Sequence, residues 1–421
     1  MVHKIKLLSK ADLYYIHQSH FSVHDFGAVH RFPFIQDKIT PLAMMRRMMK
    51  NVNALYQTNE AMQSFRQSQY ALEWYVNTIL ESKQLVTTFS STAIRGDLVN
   101  DPYLDENLIH HVLNSIYQPW FTHPYFLVKD KVFDEEKSFN LHRLEQIKVE
   151  VGEQIFSELK TMIPLDSPYI QELRGIQYEI QTFTKDKLAD FYQDWIQYPM
   201  NFYYVGPLPL EKIINILNAY PYLKTSTQIT SIEHTQIPHD VFVSKKAQGT
   251  QNQSHYRKIY TTQIPRLTRD SYAIRLLNQM LGEGSESFLF QEIREKLQFC
   301  YQVNSSYSLN EGTITIRLGL HKKNIEKTVS IIEKQLQNYR EGNFELAFFK
   351  LHQQQMLDSI HRMKDNVDHK LNLLFNTLVL DLPYDEDRAL RYYQSITFED
   401  IVRVANMIQP YRELIFLGVE S

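Results

Sequence analysis

Arg294 and Tyr301 stand seven residues apart in the stretch LGEGSESFLFQEIREKLQFCYQVNSSYS, residues 281–308. A guanidinium is a rigid, permanently charged fork and a phenol donates one hydrogen bond, so the pair suits gripping oxygen acceptors. Phe288, Leu289, Ile293 and Leu297 form a helical stripe, which predicts a helix from about Ser285 to Lys296. From Cys300 the pattern turns to period two, with Tyr301, Val303, Ser305 and Tyr307 on one face and Cys300, Gln302, Asn304 and Ser306 on the other. A helix–strand corner of this kind would bring the two polar tips to one place. By residue type alone the pair is ordinary: an Arg on an amphipathic helix is usually solvated, and a Tyr on a strand usually packs its ring. Gly282-Glu283-Gly284 lacks the preceding strand and following Lys of a phosphate loop, and a plain helix end accounts for it equally well.

The elements that must position these residues belong to a chain of 421 residues, enough for two or three domains. Apolar residues make up 43% and charged residues 22%, as in an ordinary globular protein. A net charge of −3 supplies no basic field for nucleic acid or an anionic membrane. The single cysteine, Cys300, excludes an intramolecular disulfide framework and a multi-cysteine zinc site, and fits a reducing compartment. No run of 18 apolar residues predicts a membrane span, and no signal-peptide core is visible, so the expected location is the cytoplasm.

Strands are expected within Leu13–Phe34, over Ala71–Thr78 and over Gln84–Ala93, with helices opening at Thr40-Pro41 and covering Glu60–Gln69 and Leu104–Tyr117. Phe133–Leu159 reads as one long charged helix, Thr184–Trp195 as another, and Asn201–Val205 as a strand closed by Gly206. The threonine-rich KTSTQITSIEHTQIP, residues 224–238, reads as a linker. The pattern then restarts. IQTFTKDKLADFYQDWIQYPMNFYYVG from Ile180 aligns with YQSITFEDIVRVANMIQPYRELIFLG from Tyr393, matching Thr184 to Thr397, Leu188 to Ile401 and Gly206 to Gly418. In both copies the Thr reads as a helix N-cap, with Asp400 completing a box-like pattern in the second. The expected fold is therefore α+β: two tandem related domains, each a mostly antiparallel sheet with helices on one face. Their boundaries are set at 1–225 and 245–421, joined by 226–244.

LNQMLGEGSESFLFQEIREKLQFCYQV resembles the second-half signature of the insulinase/pitrilysin metallopeptidases, the inverzincin family. It is especially similar to the small paired bacterial members and to the mitochondrial processing peptidase. The resemblance covers essentially the whole chain and implies a clam-like arrangement of two halves. In the family, the Arg and Tyr of this motif bind peptide near the scissile bond; here they are Arg294 and Tyr301. Gly282, Gly284 and Ser285 are carried over as substrate-binding candidates.

The family's first half carries H-x-x-E-H on a helix, two zinc-binding His and a Glu that activates water. Neither H-x-x-E-H nor H-E-x-x-H occurs here. Laying the family helix on residues 41–51 puts Met44, Arg47 and Met48 where His, Glu and His would stand. Thioethers are poor zinc ligands and a guanidinium cannot act as a base. The third ligand, a Glu, has no assignment; Glu135, Glu136 and Glu145 are candidates by region. His17, His20 and His24 would converge only on a helix, whereas their Tyr, Ile, Phe and Val neighbours favour strand. His110-His111 cannot chelate from one face, and His234 and His239 fall in or beside the linker.

The resemblance thus implies a grip on peptide without the means of cutting it. The expected function is the non-catalytic, zinc-less subunit of a heterodimeric zinc metalloendopeptidase, inactive alone. It has no cofactor of its own; zinc is expected in a homologous partner subunit, and the substrate is peptide. The alternative is a structural or peptide-binding pseudopeptidase with no proteolytic role. A self-sufficient enzyme built on a new histidine site is the reading the residues favour least.

Overall fold

The computed structural model describes residues 2–419 except 82, 120–129, 165, 166, 168, 169, 222–235, 365 and 381. Most of the expected linker lies outside the described residues. Ile237, at its end, is buried, and its N–H donates to Glu311 O at 2.9 Å.

The chain divides into two compact units, each made of three stretches. The first comprises 1–146, 171–233 and 365–384; the second comprises 147–170, 234–364 and 385–421. Two segments therefore fold with the unit that the consecutive division at 225 and 245 would not give them. The long helix expected over Phe133–Leu159 is two helices, Asp130–Lys148 and Val151–Lys160, and the unit boundary falls beside the break. The second of these buries Ile155 and Leu159 among Ile259, Leu414 and Phe416 of the second unit, so its apolar stripe answers a different partner from that of the first.

The first unit's strands are β1 (Val2–Lys6), β2 (Asp12–His17), β3 (Val23–Pro33), β4 (Glu73–Glu81), β5 (Gln84–Ile94) and β6 (Met200–Gly206), in the order β1-β2-β6-β3-β5-β4. The second unit's are β7 (Val243–Gln248), β8 (Ser254–Thr261), β9 (Cys300–Ser308), β10 (Thr313–Leu320) and β11 (Gln409–Leu417), in the order β7-β11-β8-β10-β9. Without β1 the two orders are the same in sequence rank. Each sheet has one parallel pair, β2 with β6 and β7 with β11, and is otherwise antiparallel. The duplication read from Thr184 and Thr397 is thus a repeated five-strand topology. Both threonines cap their helices, accepting from Lys187 N and Asp400 N, and Thr397 and Asp400 form a full capping box. Thr40 does not cap. Its helix starts one residue earlier, at Ile39, after a 3-10 turn, and the Thr40 hydroxyl instead donates to Glu179 and accepts from Ile176 N at 3.0 Å.

Each sheet buries one face under most of its helices and has another helix on the opposite face. In the first unit, Phe26, Phe89, Phe202 and Tyr204 point into the main core with Trp74 and Trp195. On the other face, Tyr203 meets Phe375 of the Val367–Leu380 helix edge to face, and Arg31 donates to Leu378 O. Asp25 is buried on that same face, accepting from the hydroxyls of Ser90, at 3.2 Å, and Thr92. Burial pushes its carboxyl up to about 7, against the pull of those hydroxyls. A raised native value means the folded chain holds a proton that the unfolded chain releases near pH 4, so this contribution to stability fades as pH rises from about 4 to 7. Asp25→Asn should therefore match wild type near pH 4 and exceed it by about 4 kcal/mol at pH 8 in urea unfolding. A difference independent of pH would contradict the assignment. Buried His24 and His30, pulled down to about 4 and about 3, give opposite slopes that cancel in this comparison.

Candidate functional site

The resemblance lays the metal-binding helix on the first-unit helix Ile39–Asn51. Met44, Met45, Met48 and Met49 are all fully buried in the core. Met44 Sδ lies 3.5 Å from the Asn140 amide. Arg47 Nε lies 2.6 Å from Glu136 Oε2, and its guanidinium stacks over Phe139 at 4.2 Å. Of the three regional glutamates, Glu136 faces this helix. Glu135 pairs with Lys131 in solvent, and Glu145 accepts from Gln177. Two thioethers, an amide and a guanidinium already matched to a carboxylate do not fit zinc, and no base stands among them.

The histidines serve other ends. His17 Nδ1 is 2.9 Å from the Tyr15 hydroxyl, and His20 packs on Phe21. His24 sits between Tyr204 and Asp105, 3.2 Å from each. His111 is buried against Trp74 and Phe65, and His239 is 2.7 Å from the Thr261 hydroxyl. His234 lies outside the described residues. Among the described residues, no group of three or more His, Cys, Asp or Glu is placed to hold a metal ion.

Arg294 and Tyr301 do meet. The expected helix before β9 is in its second half a π-helix, Phe290–Lys296, with Leu297 N bonded to Glu292 O at 3.0 Å. That wider turn buries Leu289 and Ile293 and leaves Arg294 half out of the core. The register then slips at the start of β9: Leu320 pairs with Cys300 and Gly319 with Gln302, leaving Tyr301 as the extra residue of a β-bulge. The bulge corrects the expected alternation. Cys300 joins the core with Val303 and Tyr307, while Tyr301 turns outward, 75% exposed, toward the side of Gln302 and Asn304. The Arg294 guanidinium lies over the Phe290 ring at 4.4 Å and the Tyr301 ring at 5.2 Å, and its Nε is 3.4 Å from Glu295. Two aromatic faces hold the fork ready beside the phenol.

Both residues line one cavity of about 580 Å³ within the second unit, with Gln302 and Asn304 of the edge strand β9. Val151 and Ile155 of the Val151–Lys160 helix complete its wall. Nothing in the residues near 151 announces that wall; it comes from a fold contact about 140 residues away in sequence. Burial pushes the Cys300 thiol up to about 11, which disfavours the thiolate at neutral pH.

Gly282, Gly284 and Ser285 are not among the described residues lining the cavity. Gly282 is where helix and strand touch: a β-carbon there would stand 2.8 Å from both Leu289 Cδ1 and Ser305 Oγ. Gly284 takes φ +94° in the turn. The Ser285 hydroxyl lies 3.4 Å from Glu286 Oε1, and its carbonyl accepts from Gln291 at 2.6 Å. Local packing and turn geometry account for all three.

The chain is similar to several known proteins. Residues 182–356 match the family described as "Peptidase M16 inactive domain". The chain is 21% identical over 406 residues to the "Probable inactive metalloprotease YmfF" of Bacillus subtilis (strain 168), covering 92% of this chain and 91% of that one. Its fold is similar to that of a conserved protein from Enterococcus faecalis V583, with TM-score 0.86, 16% identity and coverage of 100% and 99%. It is also similar to a peptidase M16 inactive domain from Pseudomonas fluorescens, with TM-score 0.79, 16% identity and the same coverage. The likeness is thus to inactive M16-like peptidases: over residues 182–356 for the family and over nearly the whole chain for the Bacillus relative. Among the described residues, no helix is long and apolar enough to cross a membrane.

Proposed function

We propose that this chain is the zinc-less subunit of a heterodimeric zinc metalloendopeptidase and works on peptide in the cytoplasm. The observation that carries the reading is the joining of Arg294 and Tyr301 at one cavity beside the edge strand β9, while the Ile39–Asn51 helix holds buried methionines and Arg47 paired with Glu136. Peptide in extended form would lie along β9, where main-chain groups of the edge strand are available for pairing. Arg294 binds carbonyl oxygens as a charged fork, and Tyr301 donates to the oxygen that gains charge at the bond being cut. A homologous partner supplies the zinc and the base that activate water. Cells expressing this chain with an affinity tag should yield a second, related subunit with H-x-x-E-H, and the pair should cleave an unstructured peptide in a chelator-sensitive way. Recovery of the chain alone, with peptide binding but no cleavage under any pairing, would favour the pseudopeptidase alternative instead.

A further inference from the structure

The floor of the cavity beside Arg294 and Tyr301 comes from β8 and β10, which read SHYRKIYT and TITIRLGL. On β8, Tyr256 and Tyr260 enter the core, so His255 and Arg257 take the opposite face. On β10, Ile316 and Leu318 enter the core, and Arg317 and Gly319 take that same opposite face. Register sets Arg317 directly across from Arg257 on one side and from Asn304 on the other. It sets Gly319 between His255 and Gln302. Two arginines thus occupy directly opposed positions on neighbouring strands. With Arg294 at the rim, the cavity is lined by three arginines and one histidine, and no described lining residue is a carboxylate. Glu295, outside the lining, reaches Arg294 Nε at 3.4 Å, and Arg317 Nη1 donates to Ser306 Oγ at 2.6 Å. The His255 imidazole is held below its ordinary value by burial and then by the charge of Arg257, a second sign of a positive field here.

The wall adds backbone N–H donors, with Glu153 the acidic residue of its helix's first turn. Val151 and Gly152 open the Val151–Lys160 helix at the cavity, and the N-cap Glu150 makes no side-chain capping bond. The first N–H groups of a helix have no intrahelical partner and carry the positive end of its dipole. A β-carbon at Gly152 would meet nothing within 4 Å, so the backbone there borders open space.

We propose that this cavity is an anion subsite of the peptide grip, taking a carboxylate of the bound peptide on Arg317 and the start of the Val151–Lys160 helix. The carboxylate belongs to an acidic side chain or to the peptide's C-terminus. Arg317 pairs with Asn304, three residues beyond the bulge at Tyr301, so the charge falls about two or three residues along an extended peptide from the oxygen that Tyr301 meets. The inference rests on the peptide-binding reading above and gives it a substrate class: acidic peptides over neutral ones.

The test is fluorescence anisotropy with four labelled peptides, identical except for glutamate or glutamine at one position and a free or amidated C-terminus. They are titrated into the full chain and into Arg317→Gln, Gly152→Asp and Arg294→Ala variants. Wild type should prefer the carboxylate form by about tenfold, the size of one charge-assisted contact. Arg317→Gln should flatten that preference to about twofold or less. Gly152→Asp, with room for its side chain, should do the same without removing a packed residue. Whether the glutamate or the C-terminal arm shows the preference identifies the source of the carboxylate. Equal affinity for all four peptides overturns the subsite; if that affinity still falls in Arg294→Ala, the underlying grip stands. A preference that survives both Arg317→Gln and Gly152→Asp also overturns it. No binding of any peptide overturns subsite and grip together.

Discussion

Tyr301→Phe is expected to lower kcat of the reconstituted pair about a hundredfold while leaving the assembly and melting temperature of the chain unchanged. Removing one donor aimed at a developing oxyanion costs about 3 kcal/mol of transition-state stabilisation. The phenol is well placed for such a test. Tyr301 is 75% exposed and sits outside the core on a bulge, so deleting its hydroxyl removes no packing. A contact made only in the transition state lowers kcat and kcat/KM together with little change in KM. Arg294→Ala should behave differently, because a fork that binds ground-state carbonyls also raises KM. Its loss should be at least as large, since the Phe290 and Tyr301 rings that orient it would be left without their cation. Turnover within twofold of wild type for both variants, in a complex shown to assemble, would remove the basis for the borrowed active site.

Arg47→Ala should destabilise the chain by about 3 kcal/mol, read as a shift in urea midpoint at constant slope. Glu136 is only 8% exposed, and the variant would leave its carboxylate without the guanidinium 2.6 Å away. The stacking of Arg47 on Phe139 goes as well. Most of that loss comes from stranding a charge rather than from the attraction itself. The double variant Arg47→Met with Glu136→Leu should therefore recover nearly all of it, because apolar groups of similar volume can replace a buried pair at little cost. An Arg47→Ala change of less than about 0.5 kcal/mol would place the pair with surface ion pairs, whose contribution is small. The same result bears on function: on this helix the charge of Arg47 is already opposed by Glu136.

The sequence by itself determined what can be encoded within a few residues. Thr184 and Thr397 announce their helices because an N-cap needs only the hydroxyl and the next three residues. The Leu104–Tyr117 helix stands where its stripe put it. That neither H-x-x-E-H nor H-E-x-x-H occurs is a matter of residue identity, which no fold can reverse. The spacing of Arg294 and Tyr301 was legible too, because a helix–strand corner is local.

Tertiary structure alone decided the rest. That Tyr301 faces away from Val303 depends on how β9 registers against β10, and a one-residue slip there moves a side chain to the other face. That the charged run over Phe133–Leu159 breaks in two follows from its halves packing in different units. The opposition of Arg317 and Arg257, and the helix start at Gly152 beside them, join residues far apart in the chain through cross-strand register and packing. Periodicity tells a residue which side of its own element it occupies; only pairing between distant elements tells it what it meets there.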